Sequence, residues 1–293
     1  MRSYQFSLLK ALVCVSVMLL TGVSCEKMNV GETVDGSQAN VVLRIGSIEQ
    51  IPFPAATRTA IEDLCSRLCF HIYDDDGVRV DYVNQKSDDA KYGTASFQLD
   101  SGHYYLVVVG HNSPKNPSFK AKEAVSFSGD DLSDTFWCCE EFEVEESRVN
   151  LDLQLHRIVS LLRFIPTATP PEGLDHLIFR YKGNQGSFNG LTGYGNPSNN
   201  TTQSVKVNTT SDANQYEFYM IPRDEEDMLD ISMIAYDDQI RVLGGCTIDG
   251  VPVKRNCITI CKGNLFDDSE RSTSVFITVT IDDSWGENLH INF

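Results

Sequence analysis

Between residues 149 and 156 the chain reads VNLDLQLH, in which Val149, Leu151, Leu153 and Leu155 alternate strictly with polar residues. A period of two lines these side chains along one face of an extended strand, whereas a helix of 3.6 residues per turn would scatter them around its surface. The pattern recurs along the chain. Val41, Leu43 and Ile45 alternate in NVVLRIGSIEQ. Phe70 and Ile72 do so before an Asp76-Gly77 turn, and Val78, Val80 and Tyr82 run back from it, which predicts a hairpin. TASFQLDSGHYYLVVVGHNS predicts two strands divided by Ser101-Gly102, the second so apolar that it should be central in its sheet. Only AIEDLCSRLC, with Ile61, Leu64, Cys65 and Leu68, has helical spacing. The fold class is therefore all-β.

Beyond Arg157 the alternation slips, and IVSLLRFIP carries adjacent apolar pairs. A slip of this kind marks a bulge or a strand passing between sheets, and it places a domain boundary near His156. The second half repeats the style in HLIFRYKG, SVKVNTT, YEFYMIP, MLDISMIAYDDQIRVLGG, NCITI and TSVFITVTIDDSW, with a Gly/Asn/Ser/Thr-rich loop from Gly183 to Thr202. Short strands at turn-punctuated intervals predict a β-sandwich in each half, over residues 40–155 and 156–293.

The N-terminus is built differently. Arg2 and Lys10 precede an apolar run from Ala11 to Leu20, too short to span a bilayer but suited to a signal-peptide core, and LLTGVSCEK follows. Small residues leading directly to a cysteine fit lipoprotein processing, so residues 1–24 read as a lipoprotein signal and Cys25 as the lipidated first residue. Two acyl chains would hold the mature protein on its membrane. Residues 25–39, polar and without periodicity, read as a flexible tether. The formal charge of −17 becomes −19 once Arg2 and Lys10 are removed, and an acidic chain of this kind is repelled by nucleic acid.

Of nine cysteines, Cys14 leaves with the signal and Cys25 carries lipid, leaving Cys65, Cys69, Cys138, Cys139, Cys246, Cys257 and Cys261. The odd number leaves at least one thiol without an intramolecular partner. Buried thiols and local or cross-strand disulfides remain open, and Cys138 and Cys139 should point to opposite faces of a strand. The Cys-x3-Cys spacings lack the companion ligands of a metal site. Asp74-Asp75-Asp76 lacks the downstream bidentate glutamate of a calcium loop and reads as part of the hairpin turn. There is no nucleophile elbow, zinc-protease helix or phosphate loop, so neither enzyme activity nor a cofactor is expected. The run Asp224–Asp227 reads as a solvated turn. Trp137, Tyr181, Tyr194 and Trp285 raise sugar stacking as an alternative, with Tyr181 and Tyr194 flanking the glycine-rich loop.

A cysteine after a signal, a Thr-Arg-Thr beyond the first strand, CFHIYDDDG, FQLDSGHYYLVVVGHN, the junction LDLQLHRIVSLLRF and a terminal strand running into Asp-Asp-Ser-Trp occur in that order. Together they resemble the Bacteroidales-type fimbrillin superfamily, and most of all its anchor and accessory (tip) subunits. The resemblance implies two tandem transthyretin-like Greek-key β-sandwich domains in an outer-membrane lipoprotein at the cell surface. It implies a structural role in a fimbrium and in adhesion, with other fimbrial subunits and a host or bacterial surface ligand as partners. In stalk-type relatives a protease cuts after an arginine beyond the first strand, and a neighbour's strand fills the vacated groove. The matching positions here are Arg58 for the cut and Val41, Leu43 and Ile45 for the exchanged strand. Anchor subunits keep strand and lipid, and the short, half-polar GENLHINF after Trp285 departs from a long donor strand. The alternative is a surface-exposed carbohydrate-binding lipoprotein.

Overall fold

In a computed structural model of the chain, the period-two segments are strands; the structure describes residues 39–48, 61–128, 131–183, 186–196, 200–207, 215–266 and 278–282. A seven-stranded sheet uses β1 (Val41–Ile48), β2 (Arg67–Asp74), β3 (Arg79–Lys86), β4 (Thr94–Phe97), β5 (Gly102–His111), β8 (Thr135–Val144) and β9 (Val149–Arg157) in the order β3-β2-β5-β8-β9-β1-β4. β8 and β9 meet only at Phe136–Arg157 and Trp137–His156, so the sheet divides there into two layers. Val41, Leu43, Ile45 and Leu155 from one layer and Leu68, Phe70, Ile72, Leu106 and Val108 from the other fill a common core. As its apolar run predicts, β5 lies between β2 and β8. Its alternate residues Val107 and Val109 enter a second cluster on the opposite face. Cys138 and Cys139 likewise divide between the two clusters.

The sandwich is then repeated. β10 (Ser160–Pro166), β14 (Tyr216–Met220), β17 (Ile258–Gly263) and β18 (Thr278–Asp282) form one sheet in the order β14-β10-β17-β18. β11 (Leu174–Lys182), β13 (Asn200–Lys206), β15 (Asp227–Asp237) and β16 (Val242–Val253) form another in the order β13-β11-β15-β16. Strand for strand, β4-β1-β9 with β3-β2-β5-β8 corresponds to β14-β10-β17 with β13-β11-β15-β16, and β18 is an addition at the edge of β17. In each half the first strand runs parallel to the strand at the half's far end, β1 to β9 and β10 to β17. Leu162, Phe164, Phe179, Phe218, Ile231 and Met233 lie in the second core.

A small sheet joins the halves: β6 (Ser118–Ala121) and β7 (Ala124–Ser126) pair with each other, and β7 pairs with β12 (Ser187–Phe188). Ile158, Val159, Phe188 and Ile221 share a cluster with Cys69, Val107 and Val109. The described residues accordingly form one compact unit.

Four local expectations change. The helical spacing produces one turn, α1 (Ile61–Leu64), whose last bond runs from the Cys65 N–H to the Ile61 carbonyl, and Leu68 already belongs to β2. The hairpin forms around Gly77, at φ 77, yet Val78 and Val80 are exposed: Val78 lies in the turn before β3 and Val80 at the register shift opposite Ile72 and Tyr73, while Val83 and Gln85 further along the same strand are buried. Asp227 is buried and ion-paired with Arg223 rather than solvated. Ala39, at the end of the expected tether, is also buried.

Candidate strand-exchange site

β1 is interior to its sheet. On one side it pairs in parallel with β9 from Val41–Val149 to Ile48–Leu155, and on the other antiparallel with β4 from Val41–Phe97 to Arg44–Thr94. Val41 and Leu43 are wholly buried and Ile45 nearly so, which is what the alternation in NVVLRIG requires. A register shift between Ile45 and Ser47 moves the next inward residue to Ile48, also buried. Each buried aliphatic of this size contributes roughly 1.5–3 kcal/mol. The seat is apolar and two-sided: Ala95 and Phe97 flank it from β4, Leu153 and Leu155 from β9.

Alternation alone does not reveal the clamp on this strand. The Asn40 side chain donates to the Leu99 carbonyl (2.8 Å) and accepts the Leu99 N–H (2.9 Å), extending the pairing like an extra rung of backbone. The Asn40 carbonyl also accepts the Val149 N–H at 2.8 Å, and the Ile45 N–H donates to the Gly93 carbonyl at 2.9 Å. Asparagine before the first apolar residue is the only trace of this in the sequence. The surface pair Arg44–Asp152, at 3.9 Å and well exposed, adds little.

Cys25 and Arg58 lie outside the described residues, as does Trp285. Tyr181 is buried in the second core, its ring stacked on Phe218 with centroids 5.9 Å apart. Tyr194 is half-buried, and the Arg255 guanidinium lies 3.3 Å over its ring. The structure therefore does not bring the two tyrosines together on one exposed face. Trp137 is half-buried and donates its indole N–H to the Gly190 carbonyl at 2.6 Å, fastening the glycine-rich loop.

The seven remaining cysteines are all free thiols. Burial pushes the Cys65, Cys69, Cys246 and Cys261 thiols up to about 12 and Cys139 to about 11, so they stay protonated. His71 is stacked between Phe119 and Tyr82, and burial lowers its pKa to about 3; His111, also buried, is lowered to about 4. The Asp74 carboxylate accepts the Val78 N–H, and Asp75 meets His103 at 2.6 Å. At the junction Arg157 spans Asp134, at 2.8 and 3.0 Å, and the Asn256 side chain, at 2.8 Å. This arrangement can hold a strand by main-chain bonds and apolar pockets. Among the described residues no three His, Cys, Asp or Glu side chains could hold a metal ion, and no helix is long and apolar enough to cross a membrane.

No curated protein matches the chain. Solved structures with the same fold do. A candidate adhesin from Bacteroides ovatus is 9% identical, with a TM-score of 0.53 over 85% of this chain and 97% of that one. A candidate polysaccharide-binding protein (DUF1812) from Bacteroides thetaiotaomicron is 7% identical, with a TM-score of 0.53 over 82% and 96%. The fimbrial anchor protein Mfa2 from Porphyromonas gingivalis is 11% identical, with a TM-score of 0.50 over 82% and 96%. At the level of the fold, these meet the resemblance to fimbrillin-type anchor and accessory subunits read from the sequence. A family model matches residues 35–292, and the chain belongs to that family, the family of unknown function DUF6562.

Proposed function

We propose that the chain is a structural subunit of a cell-surface fimbrium, an anchor or accessory (tip) component that acts in adhesion and assembles by β-strand addition. The observation that carries this reading is the seat of β1: an interior strand, paired in parallel with β9 and antiparallel with β4, with Val41, Leu43, Ile45 and Ile48 in the core. Removing such a strand would leave two unpaired strand edges over an apolar floor, which is the acceptor that β-augmentation needs. The shared fold of a fimbrial anchor protein supports the same reading.

In this reading Cys25 carries the lipid that holds the chain to the outer membrane, residues 26–38 are the tether, and Arg58 is the cleavage position if β1 is ever released. The two halves are two tandem transthyretin-like domains dividing between Arg157 and Ser160. Partners are other fimbrial subunits and a surface ligand. No catalytic residue is assigned. The carbohydrate-binding alternative has less support, because the Tyr181 ring is covered in the core and the Tyr194 ring is capped by Arg255.

A replacement-strand experiment tests the acceptor. Leu43→Asp puts a charge into the core and should lower stability by about 4 kcal/mol or more. A synthetic peptide of residues 40–49 added in excess should then raise the melting temperature of the variant, while a peptide with Leu43 and Ile45 replaced by Asp should not. Full stability of Leu43→Asp, or no rescue by the intact peptide, would contradict a strand-accepting seat.

A further inference from the structure

Of the described strands in the two matching pairs of sheets, β18 alone lacks a counterpart. It lies antiparallel along β17, from Ile258–Asp282 to Lys262–Thr278, and Val279 packs against the second core. Beside it the core-facing residues of β17, Thr259 and Cys261, are wholly buried. β9 holds the place of β17 in the first half. Among the described residues its outer side meets a strand only where β8 pairs at Phe136–Arg157 and Trp137–His156. Val149 and Leu151, the core-facing residues at the start of β9, are only half-buried, while Leu153 and Leu155 near that pairing are covered. The first half thus has an open strand position where the second half has a filled one.

The main chain of β9 suits an added strand. The Val149 N–H donates to the Asn40 carbonyl at 2.8 Å, so Val149 turns its backbone groups toward β1. Successive residues of a strand turn theirs to opposite sides, so Asn150, Asp152 and Gln154 direct N–H and C=O groups to the open edge. Other edges of these sheets are guarded: β4 has four residues, and β16 carries Pro252 and two register shifts. β9 carries neither proline nor lysine.

The flanks of this opening are acidic. Glu140 has the core-facing parity of β8, between Cys138 and Phe142, and is nonetheless exposed, which puts its carboxylate at the open side of the sandwich. Glu141, Glu143, Glu145, Glu146 and Asp152 are exposed along β8, the β8–β9 turn and β9. They outnumber the basic groups beside them, which are Arg148, Arg44 at 3.9 Å from Asp152, and His103 at 3.9 Å from Glu141.

We propose that the outer edge of β9 docks an extended cationic segment of another polypeptide, running antiparallel to β9 as β18 runs to β17. Its alternate apolar side chains cover Val149 and Leu151, and its lysines or arginines meet the carboxylates outside. β18 shows the mode of binding and not the occupant, since TVTID and the following Asp283 are acidic and a second copy of a chain with net charge −17 is repelled here. β1 keeps its place throughout. The site is therefore separate from the β1 seat and open to a subunit that retains its first strand.

Anisotropy of a fluorescent, end-blocked heptapeptide of alternating lysine and valine, titrated with the full chain in non-ionic detergent, tests this. The peptide should bind, less so at high salt, and slow hydrogen exchange at the Asn150, Asp152 and Gln154 amides. N-methylation of its lysine amides removes the donors that face β9 and should abolish binding, while N-methylation of its valine amides, which face away, should not. Glutamate in place of lysine should weaken binding about tenfold or more. Asp152→Pro removes an edge donor and no bond to β1, so it should also weaken binding about tenfold with the melting temperature nearly kept, and Asp152→Asn should lose less. If Asp152→Pro does not fold, the two N-methylated peptides decide the question by themselves. No binding of the lysine peptide would mean that the acids only guard the edge. That result, equal binding of the two N-methylated forms, undiminished binding of the glutamate peptide, protection of a different edge, or self-association of the chain that the peptide reverses would overturn the proposal.

Discussion

Two buried histidines carry a cost that depends on pH. His71 lies between Phe119 and Tyr82, His111 faces Phe127, and both are held neutral because burial penalises the imidazolium. Their folded-state values of about 3 and about 4 lie below the ordinary 6.5 of an unfolded histidine. Between those limits the unfolded chain binds more protons, so stability is full above about pH 6.5 and falls as the pH drops toward 4. Each histidine contributes a slope of up to about 1.4 kcal/mol per pH unit. Urea denaturation from pH 7.5 to 4.5 should show this fall, and His71→Phe should flatten it measurably by removing one titrating group while keeping the stack. An unchanged slope in that variant would mean that His71 does not contribute to the acid limit.

At the scale of the element, the period-two signal finds strands well because a strand buried on one face needs it. VNLDLQLH and NVVLRIG are neighbouring parallel strands, and the apolar β5 takes a place between two others with both faces covered. Partnerships are not legible. Nothing local says that β4 pairs with β1 while the next strand, β5, joins the other layer, because that depends on contacts distant in sequence. The alternation of Val78 and Val80 misleads for a related reason: a pattern states which side chains share a face, and only the neighbouring elements decide whether that face is covered. In the same way, Asn40 and the Arg157–Asp134–Asn256 junction are single polar residues whose partners lie far along the chain.

The glycine-rich loop shows the same dependence on distant partners. Composition alone reads as a loose connection, yet a Cβ at Gly190 would stand 2.3 Å from the Lys122 carbonyl oxygen, and one at Gly195 would stand 2.6 Å from that of Ile221. These glycines let the loop lie directly on the backbone of β6–β7 and the end of β14. Gly190→Ala should therefore destabilise the fold by about 1–3 kcal/mol through overpacking. Its effect should be seen as faster hydrogen exchange in residues 118–126 and 187–196 together. Exchange altered in the loop alone would separate it from the β6–β7 hairpin.

The described residues hold two pairs of sheets with matching strand order, and a third apolar cluster packs between them. Such packing keeps its thiols out of reach. Cys65, Cys69, Cys138, Cys257 and Cys261 are buried, so iodoacetamide at neutral pH should label them only as fast as the chain unfolds, with the half-buried Cys139 and Cys246 first. Rapid labelling of all seven in native buffer would contradict the packing described. The proposed role in a surface fibre requires in addition that the chain be there and that its first strand be accounted for. The most direct measurement is mass spectrometry of the N-terminal peptide of this protein in fibres sheared from intact cells. The account predicts that the chain is present in these fibres, starting at a diacylated Cys25 with β1 retained if it is the anchor, or at Thr59 with the seat of β1 open to a neighbour's strand if it accepts one. Absence from the fibres, with recovery only from the periplasm, would contradict the account altogether.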